Sequence, residues 1–172
     1  MAMTLKEVST IFTELDFEHK LIEEKDLILS AGGNKNNRLA YYIRCRDEDK
    51  TFDMAAQLLD DETNHISVKG SQHMPTLMAY LLLRNYQTKF GTWELDPEDG
   101  DIKFTVEIPL EDNTLTKAQL KRIIKIMNST SDEAKDIKSI VATGKLPLDE
   151  DEAAKKIAEL EAMLAQLQGS GI

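Results

Sequence analysis

The sequence predicts an α+β fold: a twisted, mostly antiparallel sheet with helices packed on one face, extended at the C-terminus by a further helix. Three observations predict it. Successive runs alternate apolar and polar residues with the period of two that a half-buried strand requires, and short polar turns join them. Before, between and after those runs, apolar residues recur at three- and four-residue spacing, the stripe of an amphipathic helix. The 172 residues suffice for one buried core, and 41% apolar with 30% charged residues is a globular composition.

Residues 4–15 open the chain as a helix, with Leu5, Val8, Ile11, Phe12 and Leu15 on one face. Two short strands, 19–23 and 26–31, follow, with Glu24-Lys25 between them. The run from Gly32 to Asn37 is rich in residues that tolerate positive φ and reads as a loop. Strands 39–46 and 51–58 come next, with Asp47-Glu48-Asp49-Lys50 at the hairpin tip, and a short strand over 65–69 completes this part.

The segment 72–87 is a central helix with the stripe Met74, Leu77, Met78, Leu81 and Leu82, and with Pro75 in its first turn. Tyr80 and Leu83 widen its apolar side, which predicts burial on more than one side. Residues 90–109 form a hairpin. Trp93 and Leu95 lead into Asp96-Pro97-Glu98-Asp99-Gly100, and Ile102, Phe104, Val106 and Ile108 then alternate with polar neighbours until Pro109 ends the ladder. Thr116-x-x-Gln119 caps a helix over 116–128. Ser131 caps another over 132–143, which Gly144 stops. After a break at Pro147, residues 149–168 form a last helix. These elements place a domain at 1–145 and a helical appendage at 146–172.

Charge and cysteine content narrow the function classes. A net charge of −10 argues against nucleic acid and anionic membrane surfaces as partners. Between Thr92 and Thr114 eight acids face the single base Lys103, whereas Lys117 to Lys145 holds seven bases against three acids, which makes the surface bipolar. No apolar run is long enough for a membrane span, the N-terminus lacks a secretory pattern, and Cys45 is the one cysteine; a cytoplasmic setting is expected.

No chemical motif emerges. His19, His65 and His73 lack ligand spacing, so no metal is expected. The acids Asp96, Glu98, Asp99 and Asp101 miss the EF-hand pattern, because their glycine is fifth rather than sixth. Gly32-Gly33 lacks the Lys-Ser or Lys-Thr of a phosphate loop, and no nucleophile elbow is present. Cys45 shares a strand face with Tyr41 and Ile43, as a core residue would. No catalytic residue and no cofactor are expected.

Arg84-Asn85-Tyr86, then Phe90 to Phe104 around Asp96-Pro97-Glu98-Asp99-Gly100, then Ile108-Pro109-Leu110-Glu111-Asp112 resemble the YbjN family, in a version that looks cyanobacterial or plastid-like. The resemblance covers about residues 1–130 in element order. It implies a fold like that of class I type III secretion chaperones, which are small acidic homodimers that bind extended client segments, and it brings no catalytic residues. Helix 132–143 and the tail extend beyond the shared core.

The expected function is therefore a non-catalytic protein-binding module, chaperone-like or regulatory, acting as a homodimer in the cytoplasm. It would capture an extended or helical segment on apolar surface at a sheet edge or beside the first helix. Tyr41, Tyr42, Trp93, Met54, Met74 and Met78 are the candidate contacts, because aromatics and methionine are enriched at interfaces, with core packing as the competing role for each. Ile157, Leu160, Leu164 and Leu167 form an a/d-spaced row that either joins two copies or packs back on its own domain. A small-ligand sensor and a structural assembly unit are the alternatives.

Overall fold

The computed structural model describes residues 3–34, 37–60 and 63–147. Helix α1 (Leu5–Glu14) begins at Thr4, whose hydroxyl accepts from the Glu7 N–H while the Glu7 carboxylate accepts from the Thr4 N–H. This reciprocal capping box fixes the entry of the chain and turns Val8 and Phe12 inward.

A six-stranded, wholly antiparallel sheet follows, in the order β1-β2-β3-β4-β6-β5. Its strands are β1 (Lys20–Ile22), β2 (Leu27–Asn34), β3 (Asn37–Arg46), β4 (Thr51–Leu58), β5 (Thr92–Leu95) and β6 (Ile102–Pro109). Helix α2 (Met74–Gln87) lies between β4 and β5 in sequence, so the chain leaves β4, forms the edge strand β5, and returns as β6 in the gap. Helix α3 (Lys117–Thr143) closes the domain.

Register explains the core. Tyr41 pairs with Ala56 and Ala56 with Phe104; Ile43 pairs with Met54 and Met54 with Val106. Those residues share one face, and they form one core with Val8 and Phe12 of α1, Leu77 and Leu81 of α2, and Leu120, Met127, Ile137 and Ile140 of α3. The opposite face carries Tyr42, Arg44, Asp53, Gln57, Lys103 and Thr105.

Several expectations need correction. The predicted loop 32–37 is largely strand: β2 continues through Gly32 and Gly33 to Asn34, and β3 starts at Asn37. Gly32 is there for space, since a Cβ would sit 2.3 Å from Cε2 of the Tyr41 ring. The expected strand 65–69 is reduced to two isolated bridges, Leu59 with His65 and Ser67 with Asp101. The helices expected at 116–128 and 132–143 are one helix of 27 residues. Met127, Thr130, Ala134, Ile137 and Ile140 keep a continuous buried stripe through the expected break, and the Thr130 hydroxyl donates within the helix to the Met127 carbonyl, 2.7 Å away. The capping box Thr116–Gln119 is formed, and Gly144 ends the helix at φ +70. The appendage beyond Pro147, with Ile157, Leu160, Leu164 and Leu167, lies outside the described residues.

Candidate protein-binding surface

Helix α2 is held on one side by apolar contacts and a polar ladder. Leu77, Tyr80 and Leu81 are buried. The Tyr80 hydroxyl donates to the Asp136 carboxylate of α3 at 2.9 Å; burial is the main cause that pushes this phenol up, and the Asp136 contact adds to it. Arg84 pairs with Glu133 of α3, and the second oxygen of that carboxylate accepts from the Trp93 indole N–H of β5. Glu133 thus ties α2, α3 and β5 together.

Asn85 holds the edge of the sheet. Its amide donates to the Trp93 carbonyl at 2.9 Å, and its Oδ1 accepts from the Trp93 backbone N–H at 2.7 Å. The side chain imitates a neighbouring strand, so the outward main-chain groups of Trp93 are already paired and the edge offers less to an incoming strand.

The other side of α2 is open to solvent among the described residues. Met78, Leu82, Leu83 and Tyr86 are 55%, 72%, 50% and 89% exposed. Pro75 and Ala79 on the same side are also exposed, and Phe90 follows at 42%. Met78, Leu82 and Tyr86 are four residues apart, so they stack along one line of the helix. No charged residue interrupts this row, whereas the exposed sides of α1 and α3 carry Lys6, Glu7 and Glu14, and Lys117, Lys121, Arg122 and Lys125. A contiguous uncharged apolar row of this kind marks an interaction surface more often than a solvated one.

The expected contacts are scattered. Tyr41 and Met54 are fully buried, and Trp93 is 3% exposed. The Tyr41 hydroxyl donates to Asn128 Oδ1 at 2.7 Å, and burial pushes this phenol up. The Trp93 ring meets Phe104 edge-on, with centroids 5.4 Å apart. These three side chains build the core and have no surface to present. Met74 is half-buried against the core. Tyr42 lies half-buried on the sheet face opposite the helices, where its hydroxyl shares a hydrogen bond with His65 Nε2 at 2.9 Å. Met78 alone of the six belongs to the exposed row of α2. The sequence points to a sheet edge or the first helix, whereas the exposed row of α2 adds Leu82, Leu83, Tyr86 and Phe90 to the surface candidates. The available signal was that α2 has apolar residues all round, with no charged face to meet solvent.

The three histidines do not converge: His19 bonds Ser9 and the Phe17 carbonyl, His65 bonds Tyr42, and His73 precedes α2. Among the described residues no group of three metal-ligating side chains occurs. Burial, followed by the charges of Asp49, Asp26 and Glu7, pushes the Cys45 thiol up to about 12, which is unsuited to a nucleophile. At the β5–β6 tip, Asp96 and Asp99 accept from the backbone N–H groups of Glu98 and Asp101, so these acids serve the turn. Among the described residues no helix is long and apolar enough to cross a membrane.

These features define a small α+β domain built on an antiparallel sheet, with an uncharged apolar helix face. Residues 4–136 match the family described as "Putative bacterial sensory transduction regulator", and the chain belongs to this family, YbjN. The structure is similar to the crystal structure of YbjN from E. coli, described as "a putative transcription regulator": the TM-score is 0.57 at 12% identity, covering 85% of this chain and 96% of that one. It also matches a chain of the HopA1-SchA chaperone-effector complex at a TM-score of 0.42 and 12% identity, over 72% of this chain and 86% of that one, a likeness too slight to carry an argument. No curated protein matches the sequence.

Proposed function

We propose that this chain is a non-catalytic protein-binding module, chaperone-like or regulatory, and that it receives an amphipathic helix of a partner protein on the outer side of α2. The observation that carries this reading is the uncharged row Met78, Leu82, Leu83 and Tyr86, exposed on a helix whose other side is firmly anchored. A helix-in-groove contact uses side chains at this four-residue spacing. Placing the row against an apolar partner removes it from water, worth about 1.5–3 kcal/mol for each large side chain fully covered. The family description, a regulator, is consistent with a role exerted through binding.

The test compares two baits in extract of the cells that make the protein: the full chain and the full chain carrying Leu82→Asp with Tyr86→Asp. The expected result is a specific protein retained by the first and absent from the second, with both baits melting alike. Equal retention by both would move the site away from α2.

A second reading, the homodimer, is favoured by the absence of charge on the same row. Two identical copies can meet there about a twofold axis without opposing like charges. Light scattering during gel filtration decides it: a mass of two chains that falls to one on Leu82→Asp supports the dimer, and a monomeric mass for the unsubstituted chain removes it.

A further inference from the structure

We propose that the resting occupant of the α2 row is the chain's own C-terminal segment, 149–168, which a partner must displace; this rests on the reading of α2 as a binding surface. The path of the chain is the first argument. Gly144 ends α3 against the residue that precedes α2: a Cβ on Gly144 would lie 2.3 Å from His73 Nδ1. The chain therefore leaves α3 at the head of α2, and Leu146 is already 40% exposed on the way out.

Length is the second argument. From Met74 to Tyr86 α2 rises about 18 Å, and the 20 residues of 149–168 span about 30 Å if helical. Residues 145–148 reach at most about 14 Å, enough to bring the segment alongside α2 but too short to carry it far off. Ile157, Leu160, Leu164 and Leu167 recur at helical spacing over about 15 Å, while Met78 to Tyr86 covers about 12 Å.

Charge is the third. The first turn of α2 has no acidic residue, and His73 provides no side-chain cap. The segment opens with Asp149, Glu150, Asp151 and Glu152, which would come to rest near the positive end of α2. A short tether raises the local concentration of the segment to the millimolar range, so a weak contact suffices to keep the row covered.

The experiment uses full-length protein with ¹³C-labelled methionine methyls and a nitroxide on Gln168→Cys. Cys45, buried within the core, does not compete for the label. The expected result is broadening of the Met78 methyl signal, with Met3, packed beside Leu115, spared as reference. The broadening should be absent when isotope-labelled, unmodified chains are mixed with nitroxide-bearing unlabelled chains. It should be relieved by Leu160→Asp with Leu164→Asp. If the segment covers the row in nine chains of ten, the same double substitution raises apparent partner affinity about tenfold. No broadening of Met78 overturns the proposal, and equal broadening in the mixed sample overturns it in favour of a second copy's segment. Either failure leaves the partner reading standing if Leu82→Asp with Tyr86→Asp still abolishes retention.

Discussion

Arg84, Asn85 and Tyr86 stand side by side in the sequence and divide their work. Arg84 pairs with Glu133, and Asn85 closes both main-chain groups of Trp93. Tyr86 is 89% exposed. Asn85→Ala is therefore expected to cost about 1–3 kcal/mol, because it strips a buried N–H and C=O of their partners. Tyr86→Ala should stay within about 0.5 kcal/mol in a chain that also carries Leu160→Asp with Leu164→Asp, so that the C-terminal segment does not cover the row. Urea denaturation checks both, and a Tyr86→Ala cost as large as that of Asn85→Ala would mean that Tyr86 is packed. The sequence displayed this motif but not its division, because both roles depend on what lies across from α2. Asp53 offers a second test at this scale. It is 2% exposed, and Arg46 contacts one of its oxygens. Burial, only partly opposed by Arg46, holds its carboxyl above the usual range. An acid with a raised folded pKa is protonated more readily in the folded chain, so stability falls as pH climbs from the ordinary carboxylate range through the raised value. Asp53→Asn should therefore raise the melting temperature at pH 7, and the gain should shrink toward pH 3. A gain that grew on acidification would contradict this assignment.

The strands of the sheet announce themselves through the alternation of Leu39, Tyr41, Ile43 and Cys45 and of Ile102, Phe104, Val106 and Ile108, because a half-buried sheet imposes a period of two on the sequence itself. Helix boundaries are less visible. Ser131 has the chemistry of a cap, yet the stripe from Met127 to Ile140 continues across it, and tertiary burial outweighs the local preference. Ser131→Ala should accordingly cost less than about 0.5 kcal/mol, whereas removing a true cap costs about 1. Glu133, two residues later, joins three elements. Glu133→Ala should destabilise the domain by about 2 kcal/mol, since it leaves the Trp93 indole and Arg84 without their acceptor. A denaturation midpoint unchanged by Glu133→Ala would show that the ladder does not hold α2. The exposed side of α2 is not legible in the sequence. An all-round apolar helix suits a doubly buried position and an open interface equally well, and only the packing distinguishes them.

At the scale of the whole molecule, charge and apolar surface are separated. Acids gather on the β5–β6 hairpin and the turn after β6, bases line the outer side of α3, and the row on α2 is uncharged. On the proposed reading, charged flanks set the rate and orientation of encounter and the apolar row holds the complex. Raising salt should thus slow association and leave dissociation nearly unchanged, which stopped-flow mixing with the captured partner would show; a salt effect confined to dissociation would oppose it. The central claim is that α2's outer row is the docking surface. Its most direct measurement is the affinity of the captured partner for the full chain and for the Leu82→Asp, Tyr86→Asp variant, by calorimetry at one salt concentration. Removing two central apolar side chains, at about 2 kcal/mol each, predicts a weakening of several hundredfold or more. An affinity unchanged by the pair of substitutions, in a variant that melts like the unsubstituted chain, would contradict the account.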